Sequence, residues 1–276
     1  MDIISEPNIS PVSIAHKITN GDASYPYHRH NYCEVILFQS GNIDLYIEHT
    51  CFHLTSHDLV ILNPNEMHRV YCLDDSTYER VIINLQPSYL DCLSHSNVDL
   101  SACFFQRSFG TNNILHLQED EFNRLFEYSR MIDENNRSIT YGSIIRRDAY
   151  TSLLMVDINS LFSHSTTSNT NILPNYITES ILYIKQHSTE GFLLSALASH
   201  VHMSANYLSE QFKKHTGLTI REYLLDCKIQ QAKKLLQNGA NVTEACFQSG
   251  FNNYSNFLRS FKNIEGISPG RYKCIY

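Results

Sequence analysis

The sequence predicts an α+β protein of two domains, a β-barrel with flanking helices followed by a domain that contains only helices. Two observations support this division: the spacing of apolar residues changes along the chain, and its two parts differ in charge. Of the 276 residues, 42% are hydrophobic and 18% are charged, which is enough apolar material for folded cores. Residues 1–171 have a net charge of −11 and residues 172–276 a net charge of +4. Only the second part offsets the charge of a polyanion such as a nucleic acid.

Residues 25–90 contain short apolar runs separated by turn residues. Runs of four to six β-branched and aromatic residues at this spacing predict the strands of a β-sandwich or small barrel. The predicted strands are Val35–Phe38, Ile43–Ile47, Leu59–Leu62 and Val81–Leu85.

After about residue 117 the spacing of the apolar residues becomes helical. Two stripes predict two helices that close the first domain, and we interpret both stripes as domain core. They consist of Leu117, Phe122, Leu125, Phe126 and Ile132, and of Ile145, Ala149, Leu153, Val156 and Leu161.

The predicted domain boundary lies in a run of nine polar residues, Ser163–Asn171. Such a run has nothing to bury and is typical of a linker. We therefore predict a first domain over residues 1–162, a polar linker over residues 163–174 and a second domain over residues 175–276.

The second domain contains an internal repeat. Six chemically matched positions recur at one constant sequence separation, equal to that between Leu208 and Phe257. A constant separation of this kind indicates a duplicated unit. Each unit is predicted as a short helix, a tight turn and a longer helix, the anatomy of a helix-turn-helix. A helix predicted over Glu222–Leu236, about 22 Å long, joins the two units. The matched residues are Leu208, Phe212, Lys213, Gly217, Thr219 and Tyr223 in the first unit, and Phe257, Phe261, Lys262, Gly266, Ser268 and Tyr272 in the second.

Two interpretations of this helix arrangement remain open. If the second helix of each unit leaves its N-terminal turns exposed, its side chains can reach base edges in a major groove, and the lysines that follow, Lys213 and Lys262, can hold phosphates. The alternative is a helical bundle that binds nothing. Duplication of the whole unit favours DNA binding.

The segment Gly250–Lys262, with Gly266–Pro269 and Tyr272 after it, resembles the AraC/XylS-type transcription regulators. The resemblance covers about residues 175–273. It implies a DNA-binding regulator, often a homodimer that pairs through helices beside its first domain, so part of the two apolar stripes is also a candidate dimer surface. The positions that it implies for DNA contact are Ser204, Ala205, Asn206, Ser209 and Glu210 in the first unit, and Asn253, Tyr254, Ser255, Leu258 and Arg259 in the second.

The first domain contains a cluster of histidines and a glutamate. His28, His30 and Glu34 have the spacing H-x-H-x3-E, and His68 follows a later strand. On a strand, His28 and His30 would point to one face. The pattern resembles the two motifs of cupins, which are small barrels, although Asn65-Glu66 replaces the usual glycine-bearing turn of the second motif.

Three interpretations of this cluster remain open. A metal-dependent cupin enzyme would bind an iron- or manganese-type ion with the four side chains. A sensor domain would use them to bind a small effector. In the third interpretation they merely line the barrel rim. The attached DNA-binding domain favours sensing, and the resemblance implies an N-terminal cupin that binds sugars or other small effectors and generally acts without metal. We therefore expect no catalytic residue, metal or other cofactor.

Taken together, these features predict a transcription regulator whose promoter occupancy depends on a small molecule, with a carbohydrate as one candidate. Its expected partners are double-stranded promoter DNA, the effector, a second copy of the chain and RNA polymerase. The sequence has no long apolar span, no signal peptide at its start and no C-x-x-C pair among its eight cysteines, which predicts a cytoplasmic protein without a membrane segment. The alternative function is a metal-dependent cupin enzyme with a helical accessory domain.

Overall fold

A computed structural model describes residues 10–20, 27–164 and 173–275. The chain separates into two compact units, with the break between Ile172 and Leu173. The N-terminal unit is rich in β-structure and the C-terminal unit is helical, so the predicted α+β class is confirmed. In place of the predicted barrel, the described strands form two sheets that are not closed on one another.

The strands of the N-terminal unit form two antiparallel sheets. The five-stranded sheet has the order β1-β7-β2-β5-β8, and the three-stranded sheet has the order β4-β3-β6. The predicted strands are all present. The strands in the described residues are β1 (Val12–Thr19), β2 (Cys33–Ser40), β3 (Ile43–Ile47), β4 (Thr50–His53), β5 (Asp58–Leu62), β6 (His68–Cys72), β7 (Tyr78–Leu85) and β8 (Ile114–His116).

Strand β2 is buried on both faces, which explains its unbroken apolar run. Val35 and Leu37 belong to one hydrophobic core, and Ile36 and Phe38 belong to another. Side chains alternate along a strand, so the same strand contributes to a core shared with helices and to a core shared with the smaller sheet.

Four helices complete the N-terminal unit as described: α1 (Pro87–Leu93), α2 (Ala102–Phe105), α3 (Glu119–Arg137) and α4 (Ser143–His164). In α3 the predicted stripe is correct, because Phe122, Leu125 and Ile132 are buried.

The stripe predicted as core in α4 is wrong. Ile145, Leu153 and Val156 are 74%, 46% and 45% exposed. The face that packs inward consists instead of Thr151, Leu154, Met155 and Ile158. Helix α4 has apolar residues on more than one side, and the N-terminal unit covers only one of them.

The predicted linker begins too early. Helix α4 continues to His164, and the Ser163 hydroxyl donates to the carbonyl of Ser160 at 2.8 Å, so Ser163 and His164 belong to the helix. The central part of the predicted linker, residues 165–172, lies outside the described residues. Pro174 is the N-cap of the next helix.

The described part of the C-terminal unit contains only helices. They are α5 (Asn175–His187), α6 (Leu194–His200), α7 (Ala205–Thr216), α8 (Ile220–Gln237), α9 (Val242–Gln248), α10 (Tyr254–Glu265) and α11 (Pro269–Ile275). Helix α8 starts two residues earlier than predicted because Thr219 caps it: its hydroxyl accepts from the Glu222 amide while the Glu222 carboxylate accepts from the Thr219 amide. Among the described helices, none is both long and apolar enough to span a bilayer.

The duplication is visible in the backbone. Helices α7 and α10 have the same length, and both of their ends keep the constant offset of the repeat. Each ends at a glycine in the left-handed conformation, Gly217 at φ 76° and Gly266 at φ 73°. Helices α6 and α9 also correspond to each other, but the sequence separation between them is one residue shorter than this constant offset. The turn of the second unit is therefore one residue longer. In both turns the second residue after the helix, His202 or Gly250, has a positive φ.

Candidate functional sites

Helix α7 exposes its N-terminal turns and buries the opposite face. Its N-cap, Ser204, accepts a hydrogen bond from the Tyr207 amide at 3.4 Å, and Leu208 and Phe212 are fully buried. Among the predicted DNA contacts, Ser204, Asn206, Glu210 and Lys213 are exposed, and Ala205 and Ser209 are half-buried.

Helix α10 repeats this arrangement. Asn253 caps it by accepting from the Asn256 amide at 2.8 Å, and Phe257 and Phe261 are buried with ring centroids 5.7 Å apart. Four of the side chains that were predicted to contact DNA from this helix are exposed: Tyr254, Ser255, Arg259 and Lys262.

Leu258 is less exposed than the other predicted DNA contacts of α10. The side chain is half-buried and packs against the core formed by α8, α9 and α10. Tyr207, which was not among the predicted DNA contacts, is 50% exposed at the start of α7. Its counterpart in the second unit, Asn256, is exposed as well.

Two lysines of α8, the buried Lys233 and the half-buried Lys228, connect this helix to the second helix-turn-helix. Lys233 forms an ion pair with Glu265 at 2.8 Å, with side chains 4% and 10% exposed. Lys228 donates to the carbonyl of Gly250 at 2.6 Å, and burial lowers the pKa of this lysine. These contacts hold the turn and the last residues of α10 against α8. The partners of each contact are far apart in the sequence, which therefore offered no local signal for either of them.

The four predicted residues of the His/Glu cluster do lie together. Backbone hydrogen bonds of 3.0 Å join His28 and His68 in both directions, and their ring centroids are 4.3 Å apart. The His30 ring lies 5.1 Å from that of His68, and its Nε2 contacts the Glu34 carboxylate. His68 Nε2 is 3.8 Å from the same carboxylate oxygen. The expectation of a regular strand is wrong here, because His28 forms an isolated bridge and His30 lies outside the described strands.

Backbone carbonyls orient two of these rings. His68 Nδ1 is 2.9 Å from the carbonyl oxygen of Glu66, and His30 Nδ1 is 3.0 Å from that of Tyr32. The Tyr32 ring also stacks on His30, with centroids 3.8 Å apart. Both Nε2 atoms are consequently directed towards Glu34.

The electrostatics of the cluster favour an ionised Glu34 carboxylate and a neutral His68 ring. Burial by itself would raise the pKa of Glu34, but its contact and hydrogen bond with His30, together with the nearby His68 and His28, lower it to about 2. Burial lowers the pKa of His68 to about 3, so this ring is neutral at pH 7. The arrangement can accept hydrogen bonds from a ligand or coordinate a cation.

A buried ion pair supports the turn that carries His68. The side chains of Arg107 and Glu66 are 1% and 0% exposed, and Arg107 Nη2 is 2.8 Å from Glu66 Oε2. Glu66 also accepts from the Gly110 amide at 2.6 Å. Asn65 has φ 64°, so this asparagine adopts the left-handed conformation for which a glycine would be typical.

Two family models match the chain. The AraC-like ligand binding domain matches residues 11–131, and a helix-turn-helix domain matches residues 197–274. The N-terminal part of the chain is thus similar to the ligand-binding domain of AraC-type transcription regulators, and the C-terminal part is similar to a helix-turn-helix domain. The two descriptions name a ligand-binding domain and a helix-turn-helix domain, in the order that the sequence predicted.

Several individual proteins are similar to the chain in sequence or in structure. The chain is 24% identical over 257 residues to the probable transcriptional regulator LumQ of Photobacterium leiognathi, with 91% of this chain and 93% of LumQ covered. It is 36% identical over 99 residues to the uncharacterized HTH-type transcriptional regulator YtdP of Bacillus subtilis, covering 35% of this chain and 13% of YtdP. A crystal structure of ToxT from Vibrio cholerae aligns over 97% of this chain and 98% of ToxT, with 14% identity and a TM-score of 0.41. The chain spans only 13%, 58% and 48% of three curated relatives that match it.

Proposed function

We propose that the protein is a sequence-specific DNA-binding transcription regulator whose promoter occupancy is controlled by a small molecule bound at the His/Glu cluster. The observation that supports this best is the duplicated helix-turn-helix, in which α7 and α10 each bury one apolar face and expose a capped N-terminal turn. Such a function implies a cytoplasmic protein with promoter DNA and RNA polymerase as partners.

Within the second unit, base reading and phosphate binding fall to different residues. Arg259 lies two positions after the buried Phe257 and is exposed, so it is the group best suited to pair with O6 and N7 of a guanine. Lys262 is next to the buried Phe261 and is suited to phosphate. In the first unit, Glu210 is suited to accept from N4 of a cytosine, and Lys213 to contact phosphate.

The effector site that we propose consists of His28, His30, Glu34 and His68. These side chains place hydrogen-bond acceptors within one small region, which suits a ligand rich in hydroxyl groups such as a carbohydrate. Calorimetric titration of the full-length protein with a panel of pentoses and hexoses tests this class. We expect one ligand per chain in the wild type and at least tenfold weaker binding after His68→Ala; equal affinity in both proteins would contradict this assignment.

We further propose that the protein is a homodimer that pairs through α4. Ile145, Ala149, Leu153 and Val156 are all exposed and follow one another at intervals of four, four and three residues. This spacing places them on one face of the helix. Apolar helix stripes of this kind are typically covered by another helix, and a second copy of α4 offers a matching stripe.

Selection of binding sites from random duplex DNA by the full-length protein tests the DNA-binding function. We expect an enriched motif with two parts about 10 base pairs apart, because two recognition helices of one domain read successive major grooves. Arg259→Ala should reduce the preference at one base pair by about 1–3 kcal/mol. Arg271→Ala, a change at an exposed arginine of α11, should leave the motif unchanged.

The proposed function is refuted if no sequence is enriched and binding at low salt is absent. If the motif is unchanged by Arg259→Ala and affinity falls uniformly, Arg259 contacts only the DNA backbone, and its assignment to a base is wrong while the DNA-binding function stands.

A further inference from the structure

The histidines of the cluster have a fixed proton arrangement. His30, Glu34 and His68, which we call the triad, include two rings whose Nδ1 atoms lie 3.0 and 2.9 Å from backbone carbonyl oxygens. A carbonyl oxygen only accepts hydrogen bonds, so each Nδ1 must carry a proton. In a neutral imidazole with a protonated Nδ1, the other nitrogen, Nε2, presents a lone pair.

The Nε2 atoms of both rings face the same carboxylate oxygen. His30 Nε2 contacts Glu34 Oε2, and His68 Nε2 lies 3.8 Å from that atom. The three side chains are nearly buried, with exposures of 9%, 8% and 3% for His30, Glu34 and His68. When both rings are neutral, three acceptor atoms converge in a small space that bulk water hardly reaches, and groups of this kind repel one another unless a positive charge lies between them.

A single proton does not satisfy the whole triad. A proton on His30 Nε2 serves the contact between His30 and Glu34. It leaves His68 Nε2 facing the same oxygen at a distance of 3.8 Å, which is beyond the length of a hydrogen bond. A cation that accepts electron pairs from all three atoms at once removes this conflict.

The spacing of the triad also suits a metal ion. One ligand atom from each residue lies within 4.8 Å of the others. Around an ion with bonds of about 2.0–2.2 Å, tetrahedral ligand atoms stand roughly 3.3–3.6 Å apart. Modest adjustments at the ends of three side chains therefore suffice for coordination. The hydrogen bonds from Nδ1 to carbonyl oxygens are the outer contacts that orient metal-binding histidines in many proteins.

We propose that His30, Glu34 and His68 bind one divalent first-row transition-metal ion, of the Zn²⁺ or Fe²⁺ type. Two imidazole nitrogens and one carboxylate oxygen are a ligand set of such ions and leave coordination positions open. An oxygen of the effector can take an open position, so the ion would form part of the effector site. This regulatory consequence rests on the proposed function, whereas metal binding itself does not. The two resemblances differ on this point, because a metal-dependent cupin would bind an ion with these side chains whereas AraC-type N-terminal domains generally act without metal; the inference therefore rests on the geometry of the triad in this chain.

Cobalt titration of the full-length, chelator-treated protein tests the inference. Co²⁺ bound by nitrogen and oxygen ligands in an open site gives visible absorption bands, and elemental analysis gives the number of ions per chain. We expect one Co²⁺ per chain, displaced by Zn²⁺. His30→Ala, Glu34→Gln and His68→Ala should each weaken binding more than about 100-fold, because loss of an outer partner alone costs about 10- to 100-fold.

His53→Ala is the matched control. His53 lies in the same unit and pairs with Asp44 at 3.0 Å, and it is not part of the described triad. Metal affinity should be unchanged in this variant. Thermal unfolding of each metal-free variant shows whether it folds. If an alanine variant does not, Glu34→Gln, which preserves the shape of the side chain, decides the question.

Two results overturn the inference: the absence of a stoichiometric ion in the wild type, or an ion retained equally in the triad variants, which would place it on other histidines or on cysteines. DNA binding measured on the same samples separates this inference from the proposed function. DNA binding without any metal affinity would refute the metal site and leave the proposed function standing. Metal binding without DNA affinity would refute the proposed function and leave the metal site standing.

Discussion

Gly250 lies in the turn of the second helix-turn-helix and is unusually close to the backbone that precedes α6. A Cβ atom at this position would stand 2.7 Å from Thr189 Cα and 2.9 Å from the carbonyl oxygens of Ser188 and Thr189. Its φ of +84° is a second obstacle, because alanine is unfavourable in the left-handed region. The change Gly250→Ala therefore combines backbone strain with a steric clash that only backbone movement relieves.

Gly239 provides a matched control in the same unit. Its φ is +93°, and a Cβ atom there would have no neighbour within 4 Å. Gly239→Ala should cost about 1–2 kcal/mol, the conformational part alone. Gly250→Ala should cost a further 1–3 kcal/mol, roughly the effect of overpacking. For a domain of about 100 residues, each kcal/mol lowers the melting temperature by about 4–8 °C.

Thermal unfolding of the full-length protein, followed through the transition of the C-terminal unit, measures this difference. We expect Gly250→Ala to melt at least about 4 °C below Gly239→Ala. Asparagine separates the two contributions, because it tolerates a positive φ and still has a Cβ atom. Gly239→Asn should resemble the wild type, whereas Gly250→Asn should remain destabilised. Equal melting temperatures for the two alanine variants would refute the close approach of Gly250 to Thr189.

Three further predictions concern charge and self-association. Lys262→Ala should weaken binding to all DNA sequences alike and reduce the slope of log K against log salt by about one unit; an unchanged slope would exclude a phosphate contact. Leu153→Asp should dissociate the proposed dimer in sedimentation experiments, whereas Leu182→Asp, at an exposed leucine of the C-terminal unit, should not; identical behaviour would place the interface elsewhere. Arg107→Ala should destabilise the N-terminal unit towards urea by about 3–5 kcal/mol, because it leaves Glu66 buried without its partner. Arg130→Ala, which removes only ion pairs on the surface, should cost less than about 1 kcal/mol. Similar costs for the two variants would contradict the burial of Arg107.

The sequence by itself determined the features that repeat or alternate over short distances. The constant offset of the six matched positions identified the duplicated unit, and the structure gives both second helices the same length and the same left-handed glycine cap. Apolar runs located β2, β3, β5 and β7; in β2 and β5 the run is buried on both faces, and such a strand has little polar interruption. The spacing of His28, His30 and Glu34, together with His68, identified a cluster that the structure brings together.

Only the tertiary structure decided which faces are covered. In α4 two sets of apolar residues have helical spacing, and the set chosen from the sequence, which includes Ile145 and Leu153, is the exposed one. Burial depends on which elements pack against the helix, and local periodicity does not contain that information. Leu258 is a similar case: it occupies a position implied for DNA contact, yet its side chain packs partly against the core.

Long-range polar contacts were also decided by the tertiary structure. Arg107 pairs with Glu66, and Lys233 pairs with Glu265 on another helix, in both cases across a long stretch of sequence. Each residue alone looks like an ordinary surface charge, since charged residues are rarely buried unless paired. A partner at such a separation is brought near only when the chain folds, and the pairing then makes burial of both charges tolerable. The sequence thus determined the repeating units and the chemistry of the cluster, and the packing of distant segments determined which of its charges and apolar faces are hidden.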